Sequence, residues 1–290
     1  MNQVRPVYEW NYRLEGKSEG FPLLWLHGFM GTGDDWLELV QNQFSDYCNI
    51  LINLPGHAGS VIPAKTQFTD ILDALVKRLV ASGFEKFIPI GYSMGGRIAF
   101  HLQQHVPERI PALIFLSSAP GLKTNLERQQ RKIEDEQLMN KMEELGSSAF
   151  LEEWYSSGLF GEIKHNSALF TKLCHARSDN DARQLRQALE LMGNGALASL
   201  WDHLKGIAVP ALLMTGELDS KYFQLNQEIN RDISESKKVP IKKGIVSGLG
   251  FSALGGGVVL ALSQWGEIVG KPTDTSIALM ITGLLILLLR

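Results

Sequence analysis

Residues 91–95, Gly-Tyr-Ser-Met-Gly, constrain the fold more than any other stretch of this chain. They fit the pattern G-x-S-x-G, in which a strand ends in a sharp turn, a helix follows at once, and the serine hydroxyl projects above a sheet. Glycines flank Ser93 because a Cβ at either position would collide with the neighbouring strand or helix. The apolar run 87–90 supplies the strand and residues 97–104 the helix. The motif therefore predicts a nucleophile elbow at Ser93.

Apolar strands alternate with amphipathic helices on both sides of this motif. The predicted strands are residues 7–12, 23–26, 49–54, 112–116 and 209–215, and the predicted helices flanking the elbow are 69–82, with Thr69 as its cap, and 222–233. This order predicts an α/β fold with a mostly parallel sheet covered on both faces. Residues 121–205 are helical and strongly charged, which predicts a cap inserted into a core formed by 1–120 and 206–236. We expect most of the charged side chains to form a solvated helix face.

Two further turns supply the partners that a serine nucleophile needs. His27-Gly28 follows an apolar strand, and such a turn leaves the backbone N–H of Phe29 available to pair with that of Met94 as an oxyanion hole. A plain glycine turn is the alternative. Asp219 follows the strand 209–215, where the acid of a serine, acid, histidine order belongs. We expect His57, in a Pro-Gly-His loop, to bond to the backbone.

The composition indicates which binding partners, metal sites and cellular compartments to expect. A net charge of −3 gives no reason to expect nucleic acid. The two cysteines, Cys48 and Cys174, are far apart and form no Cys-x-x-Cys pair, so the sequence predicts neither a disulfide framework nor a zinc site, and a reducing compartment fits. The first ten residues contain no apolar core of a cleavable secretory signal.

A set of short motifs carries a family resemblance over about residues 8–235. They are His27-Gly-Phe-Met-Gly31 with Asp35-Trp36, Gly91-Tyr-Ser-Met-Gly-Gly-Arg97, Ala119-Pro-Gly-Leu122, Glu153-Trp-Tyr155, Ala176-Arg-Ser178 and Gly216-Glu-Leu-Asp-Ser-Lys221. Together they resemble 2-succinyl-6-hydroxy-2,4-cyclohexadiene-1-carboxylate synthase, the α/β-hydrolase-fold lyase of menaquinone and phylloquinone biosynthesis.

The resemblance implies elimination of pyruvate from a small polycarboxylate substrate, with Ser93 and Asp219 catalytic and with no cofactor or metal. The residues that match the family's substrate contacts are Tyr92, Arg97, Arg131, Trp154, Tyr155 and Arg177. Guanidinium groups suit this task because their planar fork donates two hydrogen bonds to one carboxylate. Arg128 is an alternative to Arg131, because a helix can direct either side chain inward. A surface position remains the alternative for Arg177.

The chain departs from the family where the triad histidine belongs. The family places a Gly-His pair about 20 residues beyond the acid, whereas this sequence contains no histidine after His203. Four interpretations stay open: a lyase with an unrecognised base, a serine hydrolase of small esters or carbon–carbon bonds, a non-catalytic membrane-tethered binding module, and a chain whose natural C-terminus has been replaced by fusion or frameshift. The arginines favour the lyase over an esterase.

An apolar tail, residues 237–290, stands in place of the last strand and helix of the fold. Lysines precede an uncharged run at 244–262, and a second uncharged run occupies 277–289. Runs of this kind predict membrane segments, with the clustered lysines keeping the catalytic domain on the cytoplasmic side. A glycine-rich soluble segment is the alternative.

Overall fold

The computed structural model describes residues 10–156, 167–216 and 219–233, together with the backbone of two strands near the C-terminus. The strands are β1 (Asn11–Gly16), β2 (Pro22–Leu26), β3 (Cys48–Asn53), β4 (Ile88–Tyr92), β5 (Leu113–Leu116), β6 (Ala211–Gly216), β7 (Lys242–Gly244) and β8 (Val258–Ser263). They form one sheet in the order β1-β3-β2-β4-β5-β6-β8-β7. The five neighbouring strands β3, β2, β4, β5 and β6 run parallel to one another. Strand β1 is antiparallel to β3, and β8 is antiparallel to β6.

Helices cover the sheet and build the region above it. They are α1 (Leu37–Gln43), α2 (Phe68–Ala81), α3 (Met94–His105), α4 (Asn125–Leu145), α5 (Ser147–Ser156), α6 (Ser167–Arg177), α7 (Ala182–Met192) and α8 (Ser220–Asp232). Helices α4 to α7 all lie between β5 and β6 in the chain. Short 3-10 helices occur at Gly33–Trp36, Pro107–Arg109 and Trp201–Gly206.

Both faces of the sheet are buried, as the sequence pattern predicts. Successive residues of β2 point to opposite faces, so Leu24 and Leu26 join one apolar cluster and Leu23 and Trp25 join another. The first cluster includes the apolar side chains of α2 and α3, and the second includes those of Trp36 and α1. The prediction of a mostly parallel sheet buried between two layers is confirmed.

Two element boundaries differ from the sequence prediction. Strand β1 spans Asn11–Gly16 and so continues past the predicted end at residue 12, while residues 7–9 of the predicted strand lie outside the described residues. Helix α2 begins at Phe68, with Gln67 rather than Thr69 at the cap position. The Asp70 carboxylate accepts a hydrogen bond from the Gln67 N–H at 2.9 Å, which places the cap two residues earlier than Thr69.

The strand, turn and helix around Ser93 have the geometry that the motif predicts. Strand β4 ends at Tyr92 and α3 begins at Met94, so the elbow consists of Ser93 alone, with φ 50° and ψ −108°. A non-glycine residue in this region costs about 1–3 kcal/mol. Two hydrogen bonds hold it there: the Ser93 N–H donates to the Leu116 carbonyl at 2.9 Å, and its carbonyl accepts from the Ser118 hydroxyl at 2.7 Å.

The elbow glycines permit helix α3 to pack directly on the backbone of β2. A Cβ on Gly95 would lie 2.2 Å from the Leu26 carbonyl oxygen, and one on Gly91 would lie 2.5 Å from the Gly95 carbonyl carbon. Real Cβ atoms essentially never approach backbone this closely. The Gly95 N–H also donates to the His27 carbonyl at 3.0 Å, so the helix is hydrogen-bonded to the strand end that it crosses.

The C-terminal runs need a correction. The uncharged run 244–262 begins in β7 and ends in β8, and β8 pairs with β6 from Ala211↔Ser263 to Gly216↔Val258. It is therefore not one continuous helix. The rest of that run and the whole of 277–289 lie outside the described residues. Among the helices that are described, none is long and apolar enough to cross a membrane.

We predict that Gly95→Ala lowers the free energy of unfolding by about 3 kcal/mol, because the new methyl group must displace backbone. The matched control is Gly206→Ala, since a Cβ at Gly206 has no atom within 4 Å. This control should change stability by no more than about 0.5 kcal/mol. Urea unfolding of both variants provides the comparison, and equal midpoints would contradict the close contact at Gly95.

Candidate active site

Ser93 is partly exposed and follows Tyr92, the last residue of β4, at the carboxyl end of the parallel strands. Burial raises the pKa of the Tyr92 phenol, and the neighbouring Tyr222, Tyr155 and Asp219 raise it further. The positive charge of Arg177 acts in the opposite direction. Charged and phenolic groups of the core, the cap and the start of α8 therefore lie near Tyr92, the residue that precedes the serine.

The turn at residues 28–31 stands next to the serine. A Cβ on Gly28 would lie 3.5 Å from the Ser93 Cβ and 2.8 Å from the Tyr92 ring. The Gly31 N–H donates to the Gly28 carbonyl at 3.0 Å and closes the turn. Neither the Phe29 N–H nor the Met94 N–H donates to any described acceptor. The oxyanion-hole role of these two N–H groups stays a prediction.

Two buried histidines border this turn, and both bond to backbone. His27 Nε2 accepts from the Leu54 N–H at 2.9 Å, so its Nδ1 carries the proton and donates to the Gly28 carbonyl at 2.7 Å. His57 Nδ1 bonds to the Pro55 carbonyl at 3.0 Å. Burial is the main cause that lowers the pKa of each ring to about 3. The expected backbone role of His57 is confirmed.

No histidine among the described residues pairs with Asp219. Its carboxylate accepts from the Tyr222 N–H at 3.1 Å and thereby caps helix α8. The other described histidines lie elsewhere: His101 against the Phe68 ring, His105 on Asp73, His175 on the exposed cap surface and His203 in the 3-10 helix Trp201–Gly206. His165 lies outside the described residues. The described site thus has a serine and an acid without an imidazole between them.

Arg97 is buried, and no described residue accepts a hydrogen bond from its side chain. Only 7% of the residue is exposed, and its guanidinium makes no hydrogen bond to the described part of the chain. Burial lowers its pKa, and so does the nearby charge of Arg131, while Tyr222 and Asp135 counteract them. A surface position for Arg97 on the elbow helix would have been the plain alternative, and it is wrong, because the side chain is buried near Arg131 and Asp135 of the cap.

Helix α4 directs Arg131 toward Arg97. Arg131 Nε donates to Asp135 Oδ1 at 2.7 Å, and this carboxylate is itself buried. Burial raises the Asp135 pKa, whereas both arginines lower it. Arg128 instead bonds to Asn125 in the first turn of its own helix. The described contacts therefore favour Arg131 over Arg128 as the neighbour of Arg97.

Arg177 is the third cation of the pocket and is 7% exposed, so the surface alternative for it is wrong as well. Its Nη2 donates to Asp35 at 2.8 Å and its guanidinium carbon lies 5.9 Å from the centre of the Tyr155 ring. Its Nε is buried and makes no hydrogen bond to the described part of the chain. Trp154, the cap residue next to Tyr155, packs against Phe29 with the two ring centres 6.2 Å apart. It therefore contacts the turn at residues 28–31, the proposed oxyanion turn.

Two carboxylates that hold the arginines were not assigned a role by the sequence analysis. Asp135 belongs to a charge run expected to be solvated, yet it is only 7% exposed. Its spacing from the buried Met139 and Met142 was the available signal, because i, i+4 and i+7 share one helix face. Asp35 carries no such signal, since its partner Arg177 is distant in the sequence.

Comparisons with known proteins agree with this geometry. A family model described as the alpha/beta hydrolase fold matches residues 22–220. Among solved structures, MenH from S. aureus superimposes with a TM-score of 0.73, covering 93% of this chain and 97% of that chain. Its 24% sequence identity speaks for the fold alone. The elbow and the sheet order thus define a member of the α/β-hydrolase fold family.

Relatives with higher sequence identity show which family of this fold the chain belongs to. A putative 2-succinyl-6-hydroxy-2,4-cyclohexadiene-1-carboxylate synthase from Bacillus subtilis (strain 168) is 32% identical over 227 residues, which cover 77% of this chain and 82% of the relative. The synthase of Serratia proteamaculans (strain 568) is 30% identical over 217 residues, 74% of this chain and 83% of that protein. The chain belongs to the 2-succinyl-6-hydroxy-2,4-cyclohexadiene-1-carboxylate synthase family.

A third relative is much longer. The chain is 29% identical over 231 residues to "Protein PHYLLO, chloroplastic" from Arabidopsis thaliana, and the match covers 76% of this chain but only 13% of that protein. The similarity therefore concerns one segment of the plant protein.

The histidine pKa values predict how stability depends on pH. The folded pKa of His57 is about 3, below the ordinary 6.5, so the unfolded chain binds more protons between these values. This contribution to stability is complete above pH 6.5 and is lost as the pH falls toward 3. We predict that His57→Asn, which keeps a donor near the Pro55 carbonyl, reduces the slope of unfolding free energy against pH by up to about 1.4 kcal/mol per unit.

Exposed His175 provides the control, because His175→Asn changes a side chain on the cap surface. Urea unfolding between pH 4 and 7 should give this control the slope of the parent chain. An unchanged slope in His57→Asn would show that His57 is not held neutral by burial.

Proposed function

We propose that this chain is a lyase that eliminates pyruvate from a polycarboxylate cyclohexene intermediate, giving 2-succinyl-6-hydroxy-2,4-cyclohexadiene-1-carboxylate in menaquinone or phylloquinone biosynthesis. The names of the Bacillus and Serratia relatives support the reaction. The observation that carries the proposal is the buried Arg97, which lies one helical turn after the elbow serine and whose Nε makes no hydrogen bond to any described residue.

A buried cation without partners is costly, because its lost hydration is not replaced. Arg97 has no hydrogen bond to a described residue, and Arg177 keeps an unpartnered Nε although Asp35 holds its Nη2. An anionic ligand would satisfy both groups with charge-assisted hydrogen bonds. The pocket of a simple esterase has no need for such cations, whereas a substrate with several carboxylates does. Tyr92, Arg131, Trp154 and Tyr155 complete the proposed substrate contacts.

The proposed reaction begins with removal of a proton α to the succinyl carbonyl by Ser93 as its alkoxide. The negative charge moves onto the carbonyl oxygen, where the N–H groups of Phe29 and Met94 would receive it. Electrons then return through the conjugated system, the carbon–oxygen bond to the pyruvyl group breaks, and pyruvate leaves as its enolate, which takes up a proton. Asp219 is the acid proposed to orient a base.

The missing base limits the rate. Serine has a pKa far above neutrality and acts as a base or nucleophile only with a neighbouring proton acceptor. In a measured serine hydrolase, loss of the triad histidine costs on the order of 10⁶ in kcat. We therefore propose a slow lyase whose pocket is complete apart from the imidazole.

We predict slow release of pyruvate by the purified chain and none by Ser93→Ala, because the proposed proton transfer requires the hydroxyl. Pyruvate formation coupled to NADH oxidation by lactate dehydrogenase measures both. Equal rates for the two proteins would exclude Ser93 from the chemistry. A chimera that carries the C-terminal segment of the Bacillus relative after residue 236 tests the missing base. Its rate should rise by several orders of magnitude, up to about 10⁶.

A second candidate function is binding of a polycarboxylate without turnover, which the absence of any histidine after His203 favours. We predict that Arg97→Met weakens binding of 2-succinylbenzoate about 10- to 100-fold, the cost of one charge-assisted hydrogen bond. Arg128→Met is the control, because this arginine bonds to Asn125 on its own helix. Calorimetric titration measures the affinities, and equal losses in the two variants would contradict the assigned site.

A further inference from the structure

The connection between α6 and α7 carries a buried amide that joins the cap to both loops around the serine. Asn180 is only 5% exposed. Its Nδ2 donates to the Met30 carbonyl at 3.0 Å, and its Oδ1 accepts from the Ala58 N–H at 2.9 Å. One side chain from the cap therefore satisfies a backbone acceptor of the oxyanion turn and a backbone donor of the loop that contains His57.

Both backbone groups belong to strained residues. Met30 has φ 64° and Ala58 has φ 47°, in the left-handed region that non-glycine residues rarely occupy. Conformations of this kind persist only where surrounding contacts hold them. The two hydrogen bonds of Asn180 are such contacts, and they reach the two loops simultaneously.

A chain of planar peptide groups links Asn180 to the proposed oxyanion donor. The Met30 carbonyl, which Asn180 holds, belongs to the same peptide group as the Gly31 N–H. That N–H donates to the Gly28 carbonyl at 3.0 Å, and the Gly28 carbonyl shares its peptide group with the Phe29 N–H. Because each peptide group is planar, fixing a carbonyl also fixes the N–H on its opposite side.

The direction of this chain also favours a stronger donor. Each hydrogen bond in a series polarises the next, so the Asn180 amide and the Gly31 N–H both increase the positive charge on the Phe29 N–H. His27 Nδ1 adds a second donor to the same Gly28 carbonyl. The peptide group that carries the Phe29 N–H is thus oriented by two hydrogen bonds to the Gly28 carbonyl. One comes from His27 of the core, and the other comes from the Gly31 N–H, whose own peptide group is held by Asn180 of the cap.

Flanking residues keep Asn180 in place. Arg177, three residues earlier, is paired with Asp35 of the core. Asp181, the next residue, caps α7 by accepting from the Arg183 and Gln184 N–H groups at 2.8 and 3.1 Å. The amide therefore lies on a short connection that is fixed at both ends.

We propose that Asn180 is a positioning residue for the oxyanion hole, which it orients through Met30 and Gly31 without touching the substrate. This role rests on the proposed function of Phe29 and Met94. It makes the cap a structural part of the catalytic turn in addition to a cover over the pocket.

Asn180→Ala tests the proposal against Gln184→Ala. Gln184 makes a comparable bond between cap and core, accepting from the Ile62 N–H at 2.7 Å, but does not contact the oxyanion turn. Asn180→Ala should lower kcat for pyruvate release roughly 10- to 100-fold with little change in KM, because a displaced donor mainly affects the transition state. Gln184→Ala should leave kcat unchanged. A change in KM with unchanged kcat, or equal kcat losses in both variants, would overturn the proposal.

Asn180→Asp distinguishes the hydrogen bond that Asn180 donates to Met30 from the one that it accepts from Ala58. A carboxylate keeps the acceptor for Ala58 but has no donor for Met30, so this variant should lose kcat as the alanine variant does. Full activity would show that the Met30 contact does not matter. Hydrolysis of p-nitrophenyl acetate by the same variants measures the oxyanion hole without the lyase reaction, and therefore distinguishes a wrong substrate from a wrong role for Asn180.

Amide hydrogen exchange of Gly31, followed by NMR, gives a readout that needs no turnover. Its exchange should accelerate about tenfold in Asn180→Ala, the factor expected for one lost hydrogen bond. It should stay at the parent rate in Gln184→Ala. If neither substrate is turned over, this comparison decides alone, and equal exchange rates would refute the proposed coupling.

Discussion

The packing of α3 against the ends of β2 and β4 is the contact on which the site depends. Gly95 touches the Leu26 carbonyl so closely that no side chain fits between them, and its N–H bonds to the His27 carbonyl. This contact places the start of α3 directly beside the turn that follows β2. Ser93 at the helix start and Phe29 in the turn are neighbours for that reason, and the strain at Ser93 follows from the same geometry.

Side chains of the cap contact the core segments that lie next to the serine. Arg177 pairs with Asp35, Asn180 bridges Met30 and Ala58, and Trp154 packs near Phe29, so the segment after β2 and the loop after β3 both have partners in the cap. Burial lowers the pKa of Arg97, and among the described residues its guanidinium makes no hydrogen bond, although the Asp135 carboxylate is close enough to raise its pKa. The same burial keeps His27 and His57 neutral, which suits them to hold backbone and leaves the pocket's positive charge to the arginines.

The fold was largely predictable because its signals are local. Periodicity identified the strands and helices, and the glycines around Ser93 predicted a turn that only small residues permit. Boundaries were less predictable: α2 begins at Phe68 because Asp70 reaches back to the Gln67 N–H, a contact that competes with a cap at Thr69. The uncharged run near the C-terminus looked like a membrane helix, yet its last residues pair with β6, since apolar and glycine-rich runs satisfy either structure.

The sequence by itself determined the elbow, the oxyanion turn, the arginines and the absence of a histidine after His203, because each is a matter of residue identity at short spacing. Only the tertiary structure decided which groups meet. The pairing of Asp35 with Arg177 and the bridge that Asn180 makes between Met30 and Ala58 join residues far apart in the chain, and no local pattern encodes such contacts. Their energies depend on burial, which exists only once the cap covers the core.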